Sequence, residues 1–268
     1  MPNHAHSSIA LKDKLLQELL PAGMLASRPW LLSKGLSKDR LDNYVKSGRL
    51  RKLARGVYCH PYAVPNWQNV AASFSQTMGL PAYAGGLTAL EHFGLSQYLN
   101  LGDERTVEVY SPCVEPSWLA DVAQHLQGVR FRWHKTQRIW ETSSIDLSIG
   151  VFSQAWSAND GAQSIAMPER AFIELLYDVP NAVNFEHADE IMQGLVTLSP
   201  RKLNSLLSFC KSIKAKRLFF WFANRYAYSW QDKLDSTQFD FGKGKRVIQK
   251  GGRLDSRYLI TVPEQRGQ

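Results

Sequence analysis

The side chains in this sequence best suited to chemistry are cations rather than nucleophiles. Between Arg28 and Arg55 stand nine Lys and Arg (Arg28, Lys34, Lys38, Arg40, Lys46, Arg49, Arg51, Lys52 and Arg55) against Asp39 and Asp42, a net of +7. A second block holds Lys243, Lys245, Arg246, Lys250, Arg253 and Arg257 against Asp255, a net of +5. The 268-residue chain carries +8 in all, so everything outside the two blocks sums to −4. Cations concentrated on a mildly acidic body form local sites for a polyanion, whose phosphates supply affinity by releasing counterions.

The carboxylates offer no comparable pattern. Glu108, Asp146, Glu169, Glu174 and Asp178 are not spaced like a nuclease or glycosidase core, and Glu169 with Arg170 reads as a helix first turn after Pro168. "FGKGKR", residues 241–246, has the composition of a phosphate cradle without the GxxxxGK[ST] spacing. Cys59, Cys113 and Cys210 are far apart and odd in number. They suit neither a disulfide framework nor a zinc site, and they fit a reducing cytoplasm. No His pair has metal-ligand spacing. The expectation is a protein that is not an enzyme, with no metal and no cofactor. A nucleic-acid-modifying enzyme whose carboxylates converge only in the fold is the competing reading from another class.

Composition is ordinary for a globular protein, with 44% hydrophobic and 21% charged residues. No run approaches 18 consecutive apolar residues, so a membrane span is not expected. The start "MPNHAHSSIALKDK" lacks a basic segment ahead of an apolar one, so no secretory signal is expected either.

The elements that must position the first cation block can be read in order. Ile9, Leu11, Leu15, Leu16, Leu19 and Leu20 keep helical spacing, with Ser7 or Ser8 as cap and Pro21 as stop. A second helix follows Ser27 as cap, with Pro29 in its first turn and Gly35 at its end. Ser37 caps a third, in which Leu41, Tyr44 and Val45 share one face. Asp39, Asn43 and Lys46 lie opposite, Lys38 and Arg40 sit near its N-terminal end, and Gly48 takes the left-handed exit position. "RLRKLARGVYCHP" then alternates Leu50, Leu53 and Val57 with cations around Ala54-Arg55-Gly56, a basic hairpin closed by Pro61. Three helices and a hairpin in this order describe a winged helix-turn-helix, whose third helix reads the major groove while the wing grips phosphates. Lys38, Arg40, Asn43 and Lys46 are the expected groove contacts; Arg49, Arg51, Lys52 and Arg55 are the expected backbone contacts. The bland alternative is a solvated edge strand guarded by charge.

Two helices, broken at Gly79-Leu80-Pro81, are predicted between Asn66 and Asn100. Trp67, Val70 and Phe74, then Leu87, Leu90 and Phe93, are their expected buried faces. Strand-like runs follow in "RTVEVYSP", "GVRFRWHK", "TQRIWE" and "IDLSIGVFS", and suggest a small, mostly antiparallel sheet. After Pro168 the pattern is helical, in "ERAFIELLYDV", "HADEIMQGLVT", "SPRKLNSLLSFCKS" and "KAKRLFFWFANRYAYSW". The fold class expected is α+β: a winged helix-turn-helix followed by an α+β C-terminal domain. Residues 1–98, with a core at 8–62, form the first domain, and 99–268 the second. The basic tail reads as two surface strands, 246–249 and 258–262, joined at Gly251-Gly252. Whether its cations (Lys243, Lys245, Arg246, Lys250, Arg253, Arg257) are solvated, a second polyanion surface or a seat for an acidic partner stays open.

"LDNYVKSGRLRKLARGVY" resembles the N-terminal winged helix of AbiEi-type antitoxins, in which a "GxLxRxxRGVY"-like wing follows the recognition helix. Gly48, Leu50, Arg55, Gly56, Val57 and Tyr58 fit that shape. "GLTALEHFGL", "MPERAFIELLYDVP" and "FGKGKRVIQKGGRLDSRYLITVP" are similar to later parts of the same family. The resemblance implies a transcriptional autorepressor that binds double-stranded promoter DNA at inverted repeats. It further implies a type IV toxin–antitoxin partner, a nucleotidyltransferase-like toxin countered through the C-terminal domain without need of a stable complex. It carries over no catalytic residue. The alternative is a winged-helix regulator with an effector- or partner-binding C-terminal domain and no toxin.

Overall fold

A computed structural model describes residues 20–21, 23–96, 104–141, 149–154 and 161–264. All but Leu20 of the first predicted helix, the carboxylate of Asp146 and residues 145–148 of the "IDLSIGVFS" run lie outside them.

In chain order the elements are β1 (Ala26–Ser27), α1 (Arg28–Ser33), α2 (Lys38–Lys46), β2 (Arg51–Ala54), β3 (Val57–Cys59), α3 (Trp67–Gln76), β4 (Tyr83–Ala84) and α4 (Gly86–His92). Then follow β5 (Arg105–Ser111), α5 (Leu119–Ala123), β6 (Val129–Lys135), β7 (Val151–Gln154) and β8 (Gln163–Ala166). Four helices come next: α6 (Pro168–Asp178), α7 (Phe185–Gly194), α8 (Pro200–Phe209) and α9 (Ile213–Ala223). The hairpin strands β9 (Arg253–Asp255) and β10 (Ile260–Val262) close the described chain. The α+β class is as expected. Two compact units form, 1–83 with 102–133 and 153–164, and 84–101 with 134–152 and 165–268.

In the first unit, Ser27 caps α1 by accepting from the Trp30 amide, and Ser37 caps α2 by accepting from the Arg40 amide. Leu31, Leu36, Leu41, Tyr44, Leu50 and Tyr58 close one apolar core over these elements. Burying a side chain of this size is worth about 1.5–3 kcal/mol. The hairpin of β2 and β3 is joined on its other edge by β1, which pairs antiparallel with β3 (Ala26↔Tyr58, Ser27↔Val57). A two-residue strand is too short to leave a periodic signal, and the sequence reading does not contain it. α3 holds that edge: Ser73 Oγ accepts from the Leu25 amide at 2.8 Å, and the Thr77 carbonyl accepts from the Ser27 amide. Trp67, Val70 and Phe74 are buried as expected. β5 lies beside β6.

The second unit is built around a fully buried ion pair. Arg170 Nε donates to Glu174 Oε1 at 3.0 Å, one helical turn apart on α6. The Trp140 indole N–H reaches the same oxygen at 3.2 Å, and the Gly86 amide at the start of α4 donates to Oε2 at 3.2 Å. Arg170 sends a second N–H to the Ile149 carbonyl and stacks over the Trp140 ring at 5.0 Å. Four segments that are distant in sequence therefore converge on one carboxylate and one guanidinium. Phe172, Phe219 and Phe222 pack edge-on beside it, and Phe185 meets Trp221 and Phe222.

Several expectations are corrected here. "TQRIWE" is not a strand: Thr136–Arg138 is a 3-10 turn, and Trp140 makes only an isolated bridge to Cys210. The last predicted helix ends at Ala223, so Tyr226, Tyr228 and Trp230 stack outside it as a ladder against α7. Phe93 is 36% exposed rather than buried, and Leu87 is half-buried. Ala84 pairs with Ile165 in parallel, which a mostly antiparallel expectation allows.

Removing one partner of the buried pair leaves the other charge uncompensated. Glu174→Ala should therefore cost about 3–5 kcal/mol, read as the shift of the urea midpoint of the full chain. Arg170→Met with Glu174→Leu should recover most of that stability.

Candidate nucleic-acid interface

Helix α2 has one face in the core and one in solvent. Leu41 and Tyr44 are buried, while Lys38, Asn43 and Lys46 are exposed and Arg40 is half-buried. A depression of about 780 Å³ runs along the helix, lined by Ser37, Asp39, Arg40, Asn43, Tyr44, Lys46, Ser47 and Arg49. It brings together four of the eight predicted contact residues: Arg40, Asn43, Lys46 and Arg49. Lys38, in the first turn, is outside this lining. Asp39 stands inside it, where a carboxylate in the first turn favours the helix dipole.

The turn after α2 fixes where the hairpin starts. The Gly48 amide donates to the Val45 carbonyl and the Arg49 amide to the Tyr44 carbonyl at 2.8 Å, a Schellman ending with Gly48 at φ 71°. Leu50 also donates to the Tyr44 carbonyl. The Arg49 guanidinium stacks over the Tyr44 ring at 5.8 Å, so the cation is oriented by the helix it follows.

On β2 the exposure runs in pairs rather than alternating. Arg51 and Lys52 are exposed and Leu53 and Ala54 buried, because the pairing with β3 shifts register between Lys52 and Ala54. Arg55, at the turn, is exposed, and the Gly56 carbonyl accepts from the Arg28 amide at 2.9 Å, tying the turn to the start of α1. Helix α5 packs on β2, and His125 Nε2 lies 3.0 Å from the Leu53 carbonyl. These contacts come from residues some 70 positions downstream and leave no local trace in the hairpin sequence. Arg51 also donates to the Ala63 carbonyl at 2.7 Å. Arg28, counted with the cation block, is 3.6 Å from Asp42.

The second block is also surface. Lys243, Lys245, Arg246, Lys250, Arg253 and Arg257 are all exposed, with Val247 and Leu254 between them. The strands differ from the predicted ones: Arg253–Asp255 pairs antiparallel with Ile260–Val262, while Arg246 makes only an isolated parallel bridge to Ile260. What shapes this tail is Arg217 of α9, a fully buried guanidinium. It donates to the carbonyls of Phe241, Gly242, Gly244 and Leu259 at 2.8–3.1 Å. Burial foremost, and then the charge of Arg246, hold its pKa below the usual arginine value.

The other chemistry-bearing residues have structural partners. Glu108 pairs with Arg132 at 3.2 Å, Glu169 accepts from the Ser199 amide at 2.9 Å, and Asp178 faces His134 at 3.9 Å. Burial pushes the Cys210 thiol up to about 11 and raises Cys59 as well, which disfavours the nucleophilic thiolate. Arg225 stacks on Trp221 and pairs with Asp189 at 3.0 Å, so it belongs to the aromatic core edge. No helix among the described residues is long and apolar enough to cross a membrane.

Comparison with known proteins adds two matches that span nearly the whole chain. Residues 104–263 match the family described as "Transcriptional regulator, AbiEi antitoxin, Type IV TA system", and residues 10–101 match "Transcriptional regulator, AbiEi antitoxin N-terminal domain". No curated protein matches the chain. Among solved structures, the RV2827C protein from Mycobacterium tuberculosis aligns with 88% of this chain and 85% of its own, at 14% identity and a TM-score of 0.47.

A Cβ at Gly48 would meet nothing within 4 Å, so a substitution there tests backbone conformation alone. Gly48→Ala should destabilise the chain by about 1–2 kcal/mol, the cost of holding an L-residue in the left-handed region, measured by chemical denaturation. An unchanged midpoint would mean that the turn does not hold helix and hairpin together.

Proposed function

The chain belongs to the AbiEi antitoxin family of type IV toxin–antitoxin transcriptional regulators, and from that premise we propose that it is a winged-helix repressor of its own promoter and the antitoxin to a nucleotidyltransferase-like toxin. It works without catalysis or cofactor. In this reading α2 enters the major groove, with Lys38, Arg40, Asn43 and Lys46 toward base edges and Arg49, Arg51, Lys52 and Arg55 on phosphates. The observation that carries it is the depression on α2, where Arg40, Asn43, Lys46 and Arg49 share one exposed concavity directly before the basic hairpin.

The proposal divides labour along the chain. Residues 1–98 bind DNA, and 99–268 counter the toxin without requiring a stable complex. The exposed cations of the tail, Lys243 to Arg257, serve as a further phosphate-facing surface. The carboxylates support the non-catalytic reading, because Glu108, Glu174 and Asp178 each face a charged or ionisable partner and Glu169 Oε1 accepts the Ser199 amide.

The test uses the full chain and a duplex of its own upstream region. Removing one cation from a phosphate should flatten the plot of log K against log salt by roughly 0.9. Replacing Arg49, Arg51, Lys52 and Arg55 with Ala should therefore abolish the gel shift at physiological salt and lower the slope by up to about 3.6. An unchanged slope refutes the wing assignment. Co-expressed with the neighbouring toxin gene, the same variant should still rescue growth while derepressing the promoter; failure of both functions together would refute the division of labour.

A further inference from the structure

The segment between β3 and α3 presents two large apolar side chains to water. Tyr62 is 95% exposed and Val64 86%. Isolated exposed apolar residues are ordinary, but these two are neighbours on a segment held from several sides. Pro61 and Pro65 restrict φ at either end. Ala63 donates its amide to the His60 carbonyl, and its own carbonyl accepts from Arg51 at 2.7 Å. His60 Nε2 lies 2.7 Å from the Leu20 carbonyl, and Asn66 closes a capping box with Asn69 at the start of α3. Burial alternates along the segment: Tyr62 and Val64 are exposed, Pro61 and Ala63 half-buried and Pro65 buried. A period of two sends Tyr62 and Val64 outward together. A partner would meet a backbone already held in place, which lowers the entropy cost of ordering the segment at an interface.

Their neighbours indicate what the partner is. Arg51 faces Cys59 across the hairpin, next to the segment's origin, and holds Ala63 directly. Two residues before it is Arg49, which lines the α2 depression. The apolar pair thus flanks Ala63, which Arg51 of the basic hairpin holds. A tyrosine and a valine beside cations suit a deoxyribose–phosphate backbone, in which the hydroxyl reaches a phosphate oxygen and the apolar surfaces cover the sugar.

We propose that Tyr62 and Val64 are duplex-DNA contacts, an apolar and sugar-directed extension of the wing that lies beyond the eight residues read from the sequence. This rests on the repressor reading above. Because these contacts release no counterions, their signature differs from that of the cations.

The experiment measures binding of the full chain to its upstream duplex by fluorescence anisotropy across a salt series, together with mass in solution and thermal midpoint. Tyr62→Ala with Val64→Ala should keep the wild-type midpoint and mass, weaken DNA binding roughly tenfold, and leave the salt slope unchanged. Wild-type affinity in this double variant, while the four-cation variant no longer binds, overturns this inference and spares the repressor reading. Retained binding and slope in the four-cation variant refutes the wing assignment and this inference with it, while a wild-type chain that does not bind the duplex overturns the repressor reading itself. Wild-type DNA affinity with a changed solution mass assigns the pair to a contact between copies of the chain and also overturns the inference.

Discussion

The carbonyl of Tyr44 is the point on which the candidate interface depends. It accepts the amides of both Arg49 and Leu50, so the last turn of α2 and the first residue of the hairpin are fixed by one atom. The tyrosine ring is buried in the core below and carries the Arg49 guanidinium above. Helix direction, hairpin origin and the position of Arg49 therefore cannot vary independently. That coupling is what a groove-and-backbone binder requires, since groove contacts and phosphate contacts must be made at once. Gly48 makes the turn possible, and α1 ends by the same device at Gly35, with Leu36 donating back to the Leu31 carbonyl and joining the core.

The second unit uses buried cations for the opposite purpose. Arg170 is neutralised by Glu174 inside the core, and Arg217 by the carbonyl dipoles of the tail. Neither is available to a ligand; both organise chain. A buried ion pair of this kind is expensive to form and weak evidence for net stability. What it does in this chain is join segments, since Gly86, Trp140 and Ile149 all bond to the two charges. Arg217 does the same for a tail whose own apolar content is low.

Much of the first unit was legible in the sequence because its signals are local. Ser27 and Ser37 as caps, Gly35 and Gly48 as exits, and Leu50, Leu53 and Val57 as the inner side of the hairpin follow from residue type and spacing alone, and the structure has each of them in that role. The exposed face of α2 was equally readable from its 100° periodicity. What was not legible depends on long-range pairing. β1 is too short to show a period, the packing of α5 on β2 joins residues distant in sequence, and the Arg51 bond to Ala63 needs the hairpin to be closed first. In the second unit, "TQRIWE" had strand composition but was captured by a single bridge to Cys210. The tail strands slipped toward the C-terminus because Arg217, invisible to local pattern, dictates the path of 241–244. Glu169 and Glu174 illustrate the same limit from the side of chemistry: their spacing matched no catalytic core, but the Ser199 amide and the Trp140 indole that they hold come from other segments and leave no local signal.

The central claim is that α2 and the hairpin form the surface that meets DNA. Hydrogen–deuterium exchange of the full chain, with and without a duplex of its own upstream region, tests it most directly. The account predicts added protection concentrated over residues 37–55. Saturating binding that leaves this stretch unchanged and protects other segments instead would contradict it.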